Sequence, residues 1–182
     1  MIIRLVLAAA LMMALVACRQ ASAPPPLPSL LQVSPSTAQV GDTVSVTYRG
    51  VTGAVRVTID GLEAQQVGAP VEGANQTLVM DVIVPRGAVG WSSLAVSSSE
   101  TTVAIEAADR AFFVGTVLTS LATTLQAVQD ALDAIDAGGA LLIPPGTYAG
   151  SEPLGGLVID NRLLVGSGEG ATSLEGVTQL SV

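Results

Sequence analysis

The sequence predicts a mainly β protein of short strands, with a single amphipathic helix late in the chain. Three observations carry that expectation. Apolar and polar residues alternate with period two between residues 30 and 106, turn-forming residues interrupt the runs every few positions, and helical spacing holds only over residues 121–135. Few aromatics and many Val, Thr, Ser and Gly point the same way.

Near the start of the chain, Arg4 precedes a short apolar run over residues 5–16 that leads into Leu15-Val16-Ala17-Cys18. That run falls well short of the roughly 20 apolar residues that span a bilayer, so a transmembrane anchor is not expected. The motif resembles the lipobox of bacterial lipoproteins, whose cysteine is lipidated and whose chain is cut just before it. The resemblance implies a signal peptide over residues 1–17 and lipidation at Cys18. It also implies a membrane partner reached through acyl chains and an extracytoplasmic location on the cell envelope. Arg19 is not the aspartate of inner-membrane retention, which favours the outer membrane in a cell that has one. Ala21-Ser22-Ala23 leaves plain secretion open as the alternative, with Pro24 disfavouring a cut there. Residues 18–29 then form a linker whose Pro24-Pro25-Pro26 and Pro28 favour polyproline II, a semi-rigid spacer of roughly 3.1 Å per residue.

Composition narrows the function classes. The chain has no histidine and no lysine, and its single cysteine, once lipidated, leaves none for a disulfide. Its seven basic residues, all arginine, stand against fifteen acids, for a net charge of −8 that becomes −9 when Arg4 leaves with the signal. An acidic chain without a basic patch argues against nucleic acid and anionic lipid as partners.

Residues 30–107 read as a small β-sandwich with a complete strand pattern. Leu31-Gln32-Val33, Val44-Ser45-Val46-Thr47-Tyr48, Val55-Arg56-Val57-Thr58-Ile59, Leu78-Val79-Met80-Asp81-Val82-Ile83-Val84, Leu94-Ala95-Val96 and Val103-Ala104-Ile105 are the strands. Asp60-Gly61 is a hairpin dipeptide, and Leu62, Ala64 and Val67 follow on the returning strand. Val33-Ser34-Pro35-Ser36, Val40-Gly41-Asp42-Thr43-Val44, Ile59-Asp60-Gly61 and Val82-Ile83-Val84-Pro85 together resemble an IPT/TIG domain. The resemblance implies an immunoglobulin-like fold that acts as a spacer or contacts proteins and glycans.

Residues 112–182 form the next segment. Leu121, Leu125, Val128, Leu132 and Ile135 fall on one stripe of a helix, with Gln126, Gln129, Asp130, Asp133 and Asp136 opposite. Thr123 or Thr124 caps it, and Gly138-Gly139 closes it. Ala140-Leu141-Leu142-Ile143, Leu157-Val158-Ile159 and Leu163-Leu164-Val165 are short apolar strands. The order of the helix, Leu142-Ile143-Pro144-Pro145-Gly146-Thr147-Tyr148 and Leu164-Val165-Gly166-Ser167-Gly168 resembles the opening of a pectin-lyase-like right-handed β-helix. The resemblance implies a capping helix followed by the first coils of an incomplete parallel β-helix. In that family the catalytic carboxylates and calcium ligands lie on later coils.

No catalytic, metal or cofactor residue is assigned. Asp130, Asp133 and Asp136 read as a solvated helix face, and Gly166, Gly168 and Gly170 as turns, since no Lys-Ser/Thr follows for a phosphate loop. Asn75-Gln76-Thr77 matches a glycosylation sequon by chance composition. Trp91, the one tryptophan, is the candidate carbohydrate contact, with a place in the sandwich core or edge as the alternative. The functional expectation is an envelope-anchored, non-catalytic adhesion module that contacts polysaccharide or envelope protein. The alternative is the N-terminal part of a polysaccharide lyase or glycoside hydrolase whose catalytic coils are absent.

Overall fold

A computed structural model describes residues 26–106, 109–120, 122–150, 157–168, 170–175, 177 and 180–181. Cys18, the apolar run before it, Ala21-Ser22-Ala23, most of the proline linker and Leu121 lie outside the described residues. The described chain is mainly β with one α-helix, as its composition predicts. None of its helices is long and apolar enough to cross a membrane.

The first strands are β1 (Ser29–Ser34), β2 (Thr37–Ala38), β3 (Thr43–Arg49), β4 (Arg56–Ile59), β5 (Leu62–Glu63), β6 (Gln65–Glu72), β7 (Thr77–Ile83), β8 (Gly90–Trp91), β9 (Leu94–Ser97), β10 (Thr102–Ile105) and β11 (Phe113–Val114). They make two four-stranded antiparallel sheets, ordered β1-β3-β7-β6 and β10-β9-β4-β5, and a small sheet β2-β11-β8. Alternation drives the packing, because residues two apart share a sheet face. Val44, Val46, Tyr48, Met80 and Val82 of the first sheet enter one core with Val57, Ile59, Leu94 and Val96 of the second, all essentially sealed from solvent. Thr43, Ser45, Thr47 and Arg49 take the other face of β3.

Asp60 and Gly61 have φ of 52° and 75°, so the β4–β5 hairpin turns on the two residues best able to adopt positive φ. The returning segment differs from the simple strand expected of it. Residue 64 divides it: β5 pairs with β4 in one sheet, whereas β6 pairs with β7 in the other. Ala64 is therefore buried at the crossing while Leu62 and Val67 face outward. A register irregularity between Leu30 and Gln32 likewise leaves Leu31 exposed on β1.

The remaining elements are β12 (Thr116–Val117), α1 (Leu125–Asp133), β13 (Ala140–Ile143), β14 (Gly146–Ala149), β15 (Leu157–Val158), β16 (Leu163–Gly166), β17 (Thr172–Glu175) and β18 (Leu180–Ser181). They pair only in parallel, as β12-β13-β16, β14-β17 and β15-β18. The motif from Leu142 to Tyr148 spans two strands that meet at a corner. Two consecutive prolines lack the N–H groups to continue a ladder, so Pro144-Pro145 turns the chain from one ladder to the next. The carbonyls at the corner still need donors. Ser167 Oγ donates to Ile143 O at 2.6 Å, Thr172 Oγ1 to Pro144 O at 3.1 Å and Tyr148 Oη to Pro144 O at 3.3 Å.

Helix α1 starts where the sequence places it, with Thr124 Oγ1 accepting from the Ala127 N–H at 3.2 Å. Leu125, Val128 and Leu132 are buried against Leu118, Leu141, Ile143, Tyr148 and Leu157, so the stripe seals the apolar interior of the ladders. The helix stops at Asp133, before the glycines assigned to close it. Gly138, at φ 85°, instead serves the turn over residues 136–139, and the Ile135 carbonyl is capped by Arg162 Nε at 2.7 Å. Gln129 is not on the solvent face expected of it. Its side-chain amide accepts from the Val158 N–H at 2.9 Å and donates to the Val158 carbonyl at 3.2 Å, pairing with β15 as a neighbouring strand would.

Candidate functional site

The antiparallel sheets and the parallel ladders meet without a slack connection. Gly115 alone separates β11, which pairs with β2 and β8, from β12, which pairs with β13. Phe112 and Val114 are buried in the first core although they lie beyond residue 107, the sequence-based end of that segment. Phe113 points the other way and is fully buried with Ala140 and Leu142. Gly115 has φ 152°, and a Cβ there would come within 2.6 Å of the Ala140 carbonyl oxygen, 2.7 Å of the Phe113 ring and 2.9 Å of the Ala140 Cβ. Only glycine lets β11 and β13 approach this closely. Arg110 Nη1, donating to the Ser167 carbonyl at 2.7 Å, adds a second tie across the junction.

Beside this junction lies an open cleft of about 310 Å³, with one wall from each part of the chain. Val40, Val89 and Val114 give it an apolar side. The turn over residues 136–139, with the exposed Asp136, forms the opposite side. Gln39 stands at the seam, where its Nε2 donates to Thr116 Oγ1 at 3.1 Å. A cleft of this volume lies at the lower end of the range of small-molecule sites. Among the described residues that line it, Asp136 is the one with an ionisable side chain.

The sequence-assigned residues fall at different places. Trp91 ends β8 next to the junction, half-buried, with its ring edge-on to Phe113 at a centroid distance of 5.2 Å and an interplanar angle of 71°. Its indole N–H is buried without a partner among the described residues. Asp130 and Asp133 are exposed and accept from Gln126 and Gln129 within α1 at 2.6 and 2.8 Å. Among the described residues no three His, Cys, Asp or Glu side chains come together as a metal site would require. Sequence reasoning missed the cleft because Gln39, Val89, Gly115 and Asp136 are far apart in the chain. Gly115, between two strand-forming pairs, was the one local signal, since an isolated glycine there marks a close backbone approach.

No family model matches the chain, and no curated protein matches it. Among solved structures, it is similar to an auxiliary nutrient binding protein from Bacteroides thetaiotaomicron, with 17% identity and a TM-score of 0.35 over 50% of this chain and 24% of that one. It is also similar to a family 28 exopolygalacturonase from Yersinia enterocolitica, with 11% identity and a TM-score of 0.22 over 77% of this chain and 32% of that one. The chain thus spans a third or less of the length of these two solved chains. At such TM-scores neither likeness bears on what this chain does.

Proposed function

We propose that the chain is an envelope-anchored binding module that holds a polysaccharide or an envelope protein in the junction cleft. In this reading Cys18 carries the lipid, the proline-rich linker lifts the fold from the membrane, and an immunoglobulin-like β-sandwich of the IPT/TIG type bears the first coils of a right-handed β-helix. The observation that carries the reading is the cleft whose two walls are held together by the β11–Gly115–β12 connection. A rigid cleft loses little conformational entropy on binding, which favours recognition by a few polar contacts.

Charge selects among ligands. The acidic chain, with Asp136 at the cleft, repels polyanions and favours neutral or cationic glycan segments and basic loops of a partner protein. Glycan-array binding of the purified chain, repeated with Gln39→Ala and Asp136→Ala, tests the reading. Binding to neutral or amino-sugar polymers that both variants weaken supports it. Retention of only acidic polymers, or binding that neither variant changes, contradicts it. Labelling of cells with a fatty-acid analogue tests the anchor: Cys18→Ser abolishes the label and releases the protein, and an unlabelled wild-type chain overturns the lipoprotein reading.

A further inference from the structure

Val40, which lines the junction cleft, also lines a second open cleft of about 380 Å³ on the antiparallel part of the chain. Two segments run beside both. Gln39 and Val40 border the first cleft, and Val40 and Gly41 the second. Ala88 and Val89 border the first, and Pro85 and Arg86 the second. Backbone hydrogen bonds tie the two segments together, from the Gly41 N–H to the Val84 carbonyl at 3.0 Å and from the Val84 N–H to the Asp42 carbonyl at 2.9 Å. The Asp42 carboxylate accepts from the Gln39 N–H at 2.8 Å and fixes the turn itself. The border shared by the two clefts is therefore held rigidly.

Charge differs between the two ends. Asp136 is the ionisable residue of the first cleft, whereas Glu63 and Arg86 line the second. Glu63 faces Arg56 Nε at 3.3 Å, and the exposed Arg86 has no ion pair among the described residues. A path across both clefts thus passes from a carboxylate, over the exposed Val40 and Val89, to a guanidinium.

We propose that the two clefts form one groove whose occupant is an extended peptide segment of a partner protein, basic at one end, apolar in the middle and acidic at the other. This rests on the cleft reading above and names the partner that the cleft takes. In an extended backbone alternate side chains share a face, so three such residues at alternate positions reach the groove together. The basic one meets Asp136, the apolar one covers Val40 and Val89, and the acidic one meets Arg86, whose planar fork suits a carboxylate. A glycan has no apolar side chain to offer the valines. None of the described lining residues is aromatic either, so a sugar ring finds no flat face to stack on.

Fluorescence anisotropy of labelled, terminally blocked peptides of the pattern Lys-x-Val-x-Glu, titrated with the full chain, reads the affinity. Control peptides carry glutamine in place of the lysine or the glutamate. Loss of either peptide charge, and Asp136→Asn or Arg86→Gln in the protein, should each weaken binding about two- to fivefold, the range of exposed ion pairs. Arg86→Gln should also make the affinity indifferent to the peptide glutamate, and Asp136→Asn to the lysine. Absence of peptide binding overturns the proposal, and so does binding in which either pairing has no effect. A glycan that binds and is weakened by Asp136→Ala, while no peptide binds, leaves the cleft reading standing and overturns only this one. Binding of neither overturns both.

Discussion

Three residues make the account testable one side chain at a time. Tyr48 is fully buried, its hydroxyl has no partner among the described residues, and burial pushes its phenol above the ordinary value of 10.0. The folded chain therefore keeps that proton to higher pH than the unfolded chain. The associated stability is complete below pH 10 and is lost as pH rises through the tyrosine range. Tyr48→Phe should remove that alkaline decline and raise stability by about 1 kcal/mol, because an unsatisfied buried hydroxyl is deleted. Chemical denaturation at neutral and alkaline pH checks both effects. Asp60 is a turn residue with a further task. Its carboxylate accepts from Ser92 Oγ at 2.7 Å and from the Ser93 N–H at 2.8 Å, tying the β4–β5 hairpin to the segment between β8 and β9. Asp60→Ala should cost about 1–2 kcal/mol in urea unfolding, whereas Asp60→Asn should retain part of it. Gly115→Ala should cost at least about 1–3 kcal/mol from backbone strain alone, with the clash against Ala140 added, and lower the thermal midpoint accordingly.

At the scale of elements, α1 depends on its cap and its stripe. Thr124→Ala removes the side-chain bond to the Ala127 N–H and should lower stability by about 1 kcal/mol in thermal melts. Val128→Ala should cost more, because Val128 is fully buried in the cluster that α1 seals. These elements were legible because their signals are local. Alternation predicted the strand from Val44 to Tyr48, the Asp60-Gly61 pair predicted a hairpin, and threonine before an apolar stripe predicted the start of α1. What could not be read depends on tertiary partners. Gln129 looks like any polar helix residue until β15 lies beside it. The end of α1 before Gly138 follows from Arg162 and the turn over residues 136–139, neither of which is visible in helix periodicity. The exchange of sheets at Ala64 was hidden because a strand pattern does not say which neighbour the strand chooses.

For the whole molecule, the consequential feature is the junction. The sequence reading divided residues 30–107 from 112–182, yet Phe112 and Val114 are buried in the first core while Phe113 packs against β13. A fragment ending at residue 107 lacks β11 and leaves β2 and β8 without their shared neighbour. The binding reading needs both walls of the cleft to stay fixed, which in turn needs the two parts to fold and melt together. Thermal unfolding followed in parallel by calorimetry, far-ultraviolet circular dichroism and the fluorescence of Trp91 tests that requirement most directly. Coincident curves with a single calorimetric transition, lowered as one by Gly115→Ala, are the predicted result. Two separated transitions, with Trp91 reporting only the one that belongs to the antiparallel sheets, would contradict it.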